Sequence, residues 1–336
     1  MSMDDDIRIH TVDTHTEGEP TRIITDGIDR SAFAGGSVAA QRERFADSLD
    51  WVRELLMKEP RGHDDMFGAV LADPADDQAD IGAFFMDSGG YLDMCGHGTI
   101  GLVTALIERG DIDPAPVVTV ETPAGLVETQ PTVEDGFVTS VTLRNVESFV
   151  YDRTTVTVEC PDGLLTVPID VVYAGNFFAL VDSEDVGLTV DTSNTEAFVD
   201  LGLRIREQVN KDLEITHPFS GEEEPVAITE FYQSNAGVDS NIVVFGNGSI
   251  DRSPCGTGTC AKMTLLHDIG DLAVDEPYVY ESVIGTRFEG RLVDTKTRDG
   301  RRVTTPEVCG SAEIIGEHTF VRRPHDSLDG FSVTAR

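Results

Sequence analysis

The sequence predicts an α+β protein of two similar, strand-rich domains, each built around one helix that begins just after a cysteine. Three observations carry that expectation. The stretch DMCGHGTIGLVTALIERGDI, residues 93–112, returns as SPCGTGTCAKMTLLHDIGDL at residues 253–272, 160 residues later and without a gap; Cys, Gly, Gly, Thr, Thr, Leu, Gly and Asp recur at matching places. Short alternating segments dominate both halves, the pattern of half-buried strands. The length of 336 residues also exceeds what one core usually fills.

In order along the chain, IRIHTVDTHTEGEPTRIIT alternates as a strand, a turn at EGEP and a second strand. In AQRERFADSLDWVRELLMKEPRG, Phe45, Leu49, Val52, Leu55 and Leu56 fall at helical spacing, and Pro60–Gly62 end the run. FGAVLAD and IGAFFMDSGG read as strands, and IGLVTALIERG as a helix closed by Gly110. VVTVETPAGLVETQPT, FVTSVTLRNVESFV, TVTVEC and TVPIDVVYAGNFFALVD follow as strands. A helix over 194–209 precedes VAITEFYQ and SNIVVFGNG, then the second cysteine segment, then SVIGTRFEGRLVD and CGSAEIIGEHTFV. The domains are therefore expected at 1–150, carrying Cys95 and completed by about 314–336, and at 151–313, carrying Cys255.

Charge narrows the partners. There are 61 acidic residues against 25 basic ones, a net charge of −36, and only four of the basic residues are lysines. The acids are interspersed with apolar runs such as NIVVFG and VPIDVVYAG, which argues for a folded chain rather than an acidic disordered one. Nucleic acid and anionic membranes demand basic patches, so both are excluded as partners. The MSMDDDIRIH start has no basic region followed by an apolar stretch, and no apolar run reaches membrane-spanning length, so a cytoplasmic protein is expected. Five cysteines in a chain of this length do not read as a disulfide framework.

Both repeats read Cys-Gly-x-Gly-Thr at a helix start. Glycines let backbone approach a ligand closely. The first helical turn leaves N–H groups without intrahelical partners and carries partial positive charge, which suits a carboxylate or phosphate and favours thiolate over thiol. Two such starts facing one substrate suit removal of a proton from one face of a carbon and its return from the other, one sulfur acting as thiolate and its partner as thiol. Cys95 and Cys255 are thus the candidate acid/base pair. Cys160, Cys260 and Cys309 read as packing residues. Cys95-x-His97 and Cys255-x4-Cys260 lack the paired spacing of a zinc site, and neither glycine run has Rossmann or P-loop spacing, so neither metal nor nucleotide is expected. Asp251, four residues before Cys255, reads as a partner for a substrate ammonium, a turn cap, or both.

HTEGEPTR, EPRGHDDMFGAV, DMCGHGTIG, AGNFFALVD, NKDLEITHP and DRSPCGTGT, in this order, resemble landmarks of the proline racemase family, which also holds 4-hydroxyproline 2-epimerases and trans-3-hydroxyproline dehydratases. The resemblance implies a diaminopimelate-epimerase-like fold: two pseudo-symmetric domains, each a strand-rich barrel around a central helix, with the active site in the interdomain cleft. It implies a small-molecule substrate, no cofactor, no metal and assembly as a homodimer. Carried over by position, Cys95 and Cys255 match the acid/base cysteines. Gly96, His97, Gly256 and Thr257 match donors to the substrate carboxylate, and Asp251 and His97 match residues near its amine. A cysteine at both catalytic positions resembles a racemase or epimerase rather than a dehydratase. The substrate markers diverge: Phe67 and Phe245 match phenylalanines that proline racemases set against the unsubstituted ring, whereas CGHGTIG resembles the hydroxyproline branch. Pocket walls bear directly on selection, because a buried unpaired hydroxyl costs on the order of 1–3 kcal/mol. The expectation is therefore a proline racemase, with 4-hydroxyproline 2-epimerase as the alternative; a dehydratase or an inert proline-binding cleft is less favoured.

Dispersed acidic charge keeps a surface hydrated where salt screens repulsion within roughly 3 Å at 1 M. Adaptation to a salt-rich medium is therefore expected. Stability and activity should fall together on dilution from molar salt, and an undiminished melting temperature in dilute buffer would contradict that adaptation.

Overall fold

Residues 6–161 and 163–333 are described by the computed structural model. The chain divides into two units, one formed by residues up to Leu143 together with those from Gly310 onward, the other by Arg144–Cys309. The first stretch contains β1 (Ile7–Thr16), β2 (Glu19–Asp26), α1 (Val38–Met57), β3 (Phe67–Ala72), β4 (Ile81–Asp87), β5 (Tyr91–Leu92), α2 (Gly96–Glu108), β6 (Val118–Thr122), β7 (Gly125–Glu134) and β8 (Phe137–Arg144). The second unit contains β9 (Phe149–Cys160), β10 (Gly163–Tyr173), β11 (Phe177–Asp182), α3 (Thr195–Asp212), β12 (Val226–Gln233), β13 (Asp239–Phe245) and β14 (Ser249–Asp251). It continues with α4 (Gly256–Ile269), β15 (Tyr278–Ser282), β16 (Arg287–Arg298) and β17 (Arg301–Gly310). The last strand, β18 (Ala312–Arg322), returns to the first unit.

The two units share one order of strand pairing. In the first, β18, β1 and β2 are antiparallel neighbours, β2 runs parallel to β3, β3 antiparallel to β4, β4 parallel to β6, and β6 antiparallel to β7. In the second, β9, β10 and β11 are antiparallel neighbours, β11 runs parallel to β12, β12 antiparallel to β13, β13 parallel to β15, and β15 antiparallel to β16. Each parallel step needs a crossover, because a tight turn cannot reverse the chain twice. The first crossover is α1 or α3, and the second is α2 or α4.

The two kinds of crossover helix differ in composition, and burial follows. In α3, Phe198, Leu201, Ile205 and Val209 recur every three or four residues and are buried, whereas Asp200, Glu207 and Lys211 face solvent. α1 likewise buries Phe45, Val52 and Leu56, with a kink at Leu49. α2, by contrast, is apolar or small apart from His97 and the terminal Glu108, and every residue from Gly96 to Ile107 is buried. It is packed by β1, β2, β3, β7 and β18, so the strands wrap it. α4 is buried from Gly256 to Leu265 and packs on β9, β10, β11 and β16. Among the described residues no helix is long and apolar enough to cross a membrane.

In the first unit a buried ion pair ties the HTEGEPTR segment to the EPRG segment. The Arg22 guanidinium, on β2, donates to both Asp13 carboxylate oxygens, with distances of 2.8–3.1 Å. Its remaining nitrogen donates to the Leu56 and Arg61 carbonyls, each at 2.7 Å, and the Phe320 ring covers its other face. One planar donor fork thus links β1, the end of α1 and the EPRG segment, a job a lysine could not do. The second unit begins at Arg144 rather than near 150: Arg144 pairs with Glu307, and the Asn145 side chain donates to the Ala174 carbonyl. Those polar anchors commit the chain to the second unit before β9 starts.

Removing one member of a buried pair leaves the other charge uncompensated, at a cost of about 3–5 kcal/mol. Asp13→Ala should therefore lower the urea midpoint by that equivalent with an unchanged slope; a shift under 1 kcal/mol (roughly the worth of a surface pair) would show that the pair is not structurally important.

Candidate active site

In the first unit Cys95 is the N-cap of α2, with extended backbone at φ −146° and ψ 119°. Its sulfur accepts the Gly98 N–H at 3.2 Å, and its carbonyl accepts the Thr99 N–H at 3.1 Å and the Thr99 hydroxyl at 2.7 Å. The His97 ring lies against the sulfur, with Nδ1 at 3.3 Å and Nε2 at 3.6 Å. Phe67, at the start of β3 and buried, meets the His97 ring edge-on at a centroid distance of 4.5 Å. Thr16 on β1 donates its hydroxyl to the His97 carbonyl at 2.8 Å, so the HTEGEPTR segment holds the helix start in place. Gly98 is required by packing: a Cβ there would stand 2.8 Å from a Phe85 ring carbon. Cys95, Gly96, His97 and Phe67 are thus brought together within the first unit.

In the second unit Cys255 is the N-cap of α4, and its sulfur accepts the Gly258 N–H at 3.3 Å. The Thr257 hydroxyl is 3.6 Å from the sulfur, and Thr259 caps the Cys255 carbonyl through its N–H at 2.7 Å and its hydroxyl at 2.8 Å. Here the likeness to Cys95 stops. The backbone of Cys255 has φ 60° and ψ 109°, a region non-glycine residues seldom enter and one that stores strain of order 1–3 kcal/mol. A chain of hydrogen bonds over-determines it. Ser253 donates N–H and hydroxyl to Asp251 at 2.8 and 2.7 Å, and the Ser253 oxygen accepts the Cys255 N–H at 3.1 Å. Asp251 therefore acts as a turn cap. Phe245, buried at the end of β13, pairs with Ser249 in the hairpin that leads to Asp251. Asp251, Gly256, Thr257 and Phe245 thus lie on or next to the segment carrying Cys255.

Electrostatics around Cys255 oppose ionisation. Burial pushes its thiol well above the usual range, and the negative charges of Asp251 and Glu230 push it further; the Thr257 hydroxyl and Gly258 N–H pull the other way and are outweighed. The stabilisation of thiolate expected from the helix start is present in kind, as the Gly258 bond, but it is smaller than the cost of burial. Cys260 is fully buried as a packing residue, and all five cysteines are free thiols. Among the described residues no group of three or more His, Cys, Asp or Glu side chains could hold a metal ion.

Sequence reasoning passed over three residues that the structure places here: Thr16, Ser253 and Glu230. Ser253 had a signal, the Asp-x-Ser spacing of a side-chain-capped turn. Thr16 and Glu230 had none, since each is a polar residue inside a strand-like run. Glu230, on β12, has no solvent exposure; its Oε1 accepts the Tyr280 hydroxyl at 2.7 Å and Asn241 Nδ2 at 3.5 Å. Burial raises its carboxyl from 4.5 to about 7, although the Tyr280 and Asn241 hydrogen bonds oppose the shift.

With this geometry in view, the relatives are informative. A sequence model described as proline racemase matches residues 11–332. The chain belongs to the proline racemase family. Within that family it is 40% identical over 332 residues to a proline racemase of Acetoanaerobium sticklandii, covering 97% of this chain and 98% of the relative. It is 41% identical over 330 residues to a 4-hydroxyproline 2-epimerase of Streptosporangium roseum, covering 96% and 97%. The fold matches a hydroxyproline epimerase from Agrobacterium vitis, solved with bound trans-4-hydroxy-L-proline, at a TM-score of 0.89 and 29% identity, covering 98% of this chain and 96% of that one. Identity alone does not separate the two substrates.

Glu230 gives this site a stability signature. A carboxyl raised on folding holds a proton that the unfolded chain gives up between the two pKa values, so unfolding free energy falls as pH rises from about 4.5 to about 7. Glu230→Gln should remove that decline, worth on the order of 3 kcal/mol, in urea unfolding measured across a pH series. Parallel curves for the two proteins would refute the buried-acid assignment.

Proposed function

We propose that the protein is a cofactor-independent racemase that interconverts L- and D-proline by a two-base mechanism, with Cys95 and Cys255 acting on opposite faces of the α-carbon in a cleft between the two units. Family membership makes it an amino-acid racemase or epimerase. The observation that carries the mechanistic reading is the repeated helix start: each cysteine caps a buried helix and receives a first-turn N–H on its sulfur, at 3.2 and 3.3 Å.

In this reading the thiolate takes the α-proton, so a C–H bond breaks and an S–H bond forms. The carbanion's charge spreads into the substrate carboxylate as an enediolate. First-turn N–H groups of Gly96, His97, Gly256 and Thr257 receive that carboxylate, because helix starts supply donors without intrahelical acceptors. Preorganised donors of this kind stabilise the developing charge without reorganisation. The opposite thiol then returns a proton to the other face, and the pair ends with roles exchanged. Asp251 and the His97 ring are the groups assigned to the substrate amine, with Asp251 also keeping the Cys255 turn closed.

The choice of proline rests on the pocket walls. Phe67 packs edge-on against the His97 ring, Phe245 ends the strand of the hairpin that leads to Asp251, both are buried, and neither can satisfy a substrate hydroxyl. The Gly98–Thr99 pair, which resembles the hydroxyproline branch, has a separate explanation: the Thr99 hydroxyl is spent on the Cys95 carbonyl, and Thr259 repeats that bond in the second unit. Its presence therefore argues for turn geometry rather than for substrate choice. The second reading, 4-hydroxyproline 2-epimerase with the same mechanism, is favoured by the Streptosporangium roseum and Agrobacterium vitis relatives.

Proton NMR in D2O separates the readings. L-Proline should lose its α-proton signal and yield D-proline on a chiral column, whereas exchange confined to trans-4-hydroxy-L-proline would transfer the assignment to the epimerase. Cys95→Ser and Cys255→Ser keep an N-cap oxygen and should fold. Each alone should lower turnover by roughly 10²- to 10⁴-fold, the usual worth of a positioned acid or base. Near-wild-type racemisation in either variant would end the two-thiol mechanism.

A further inference from the structure

We propose that Glu230 is a positioning residue that acts on the acid/base pair through charge: set behind Gly258, its carboxyl holds Cys255 as the proton-carrying thiol of the resting enzyme. The inference deepens the two-thiol reading and rests on it.

The geometry comes first. A Cβ built on Gly258 would overlap Glu230 Oε2 and stand 3.2 Å from Cys255 Sγ, so the carboxyl oxygen and the sulfur both lie close to the face of Gly258 where a side chain would stand. Glycine at 258 is what lets the carboxyl approach. Oε1 is engaged by Tyr280 and Asn241, but Oε2 is buried and has no hydrogen-bond partner. Of the charged groups around it, the Lys262 ammonium on α4 favours its ionised form, yet it sits over the Tyr232 ring, 3.2 Å from the centroid. Asp251, at the end of β14, disfavours ionisation, and Asp239 on β13 adds a further negative charge beside Lys262, bonded by Tyr278.

A buried carboxyl with one oxygen unpaired is poorly solvated as an anion, and it titrates near neutrality. Its charge and a Cys255 thiolate would lie close together beside Gly258 in a medium of low dielectric. Each makes the other costlier, so the pair carries one negative charge at most near neutral pH. Glu230 forms and breaks no bond to substrate; it sets the energy of the sulfur that does. The first unit differs at the matching glycine. Gly98 abuts the apolar Phe85 ring, and the His97 imidazole, with Nδ1 3.3 Å from Cys95 Sγ, can donate to an anionic sulfur. The duplicated starts are therefore electrically unequal, and the proton is stored on the Cys255 side.

The test reads Cys255 directly. Wild-type protein and Glu230→Gln, which keeps the shape and the Tyr280 hydrogen bond, are alkylated with iodoacetamide across a pH series, and the Cys255 and Cys95 peptides are quantified by mass spectrometry. Cys255 should react roughly tenfold faster in the Gln variant at a given pH below its midpoint, equivalent to one pKa unit, while the Cys95 profile stays put. A general structural loss would move both peptides. Coincident Cys255 profiles in two folded proteins would overturn the proposal. Should the Gln variant not fold, Glu230→Asp, which draws the acid back from Gly258, must shift Cys255 in the same direction by less; no shift overturns the proposal. In the wild-type protein itself, one glutamate δ-carbon must titrate near neutrality by ¹³C NMR, and its absence is equally fatal. None of these readouts is turnover, so a fully active Cys255→Ser would sink the two-thiol reading without imitating either result.

Discussion

The start of a fully buried helix is the constraint on which the rest of this molecule turns. A helix leaves its first N–H groups without intrahelical acceptors, and burying such an end without partners is costly. α2 and α4 meet that demand in part with sulfur: each cysteine caps the helix and accepts an N–H from the second glycine. The strands that surround each helix exclude water from the same groups that an anionic substrate would use. Stability and chemistry thus draw on the same helix starts.

Duplication explains the frame, and divergence explains the function. Both units pair their strands in the same order and bridge their parallel steps with equivalent helices. The differences that bear on the cysteines lie in their immediate surroundings. Cys95 has relaxed backbone and an imidazole at its sulfur; Cys255 has a left-handed φ, a serine–aspartate clamp and a buried carboxyl behind it. The proposed two-thiol reaction needs one thiol protonated before substrate arrives, and inequality of this kind would provide it.

Much of this was legible in the sequence because it rests on local patterns. The helix periodicity in residues 40–57, the glycine after α2 and the cysteine repeat each encode a local backbone event, and the structure places helices accordingly, with α3 ending at Asp212 rather than 209. The hairpin of β16 and β17 was only partly read, because TKTRDGRRV is polar on both faces and lacks a buried stripe; its signal was the Asp299–Gly300 turn, where both residues adopt positive φ. Glu230 was illegible for a different reason. Residues 228–231 of β12 are buried without alternation, as in a strand covered on both faces, and nothing in period-2 reasoning says that one inward position will carry an acid. The Arg22 clamp and the Thr16 bond to His97 join residues 34–39 and 81 positions apart, beyond any motif.

The pairing of β18 with β1 has a consequence for assembly. From Ile7↔Arg322 to Thr16↔Ala312, the first long strand is completed by the last one. The second unit is continuous in the chain and can close as soon as Cys309 has been synthesised, whereas β1 must wait for a strand some three hundred residues downstream, and α2 for the same strand some two hundred residues on. Emerging from the ribosome at about 5–20 residues per second, the Cys95 half spends tens of seconds with one edge of its sheet unpaired. The half that is written first is therefore finished last, and its unpaired edge is where a chaperone would find its work.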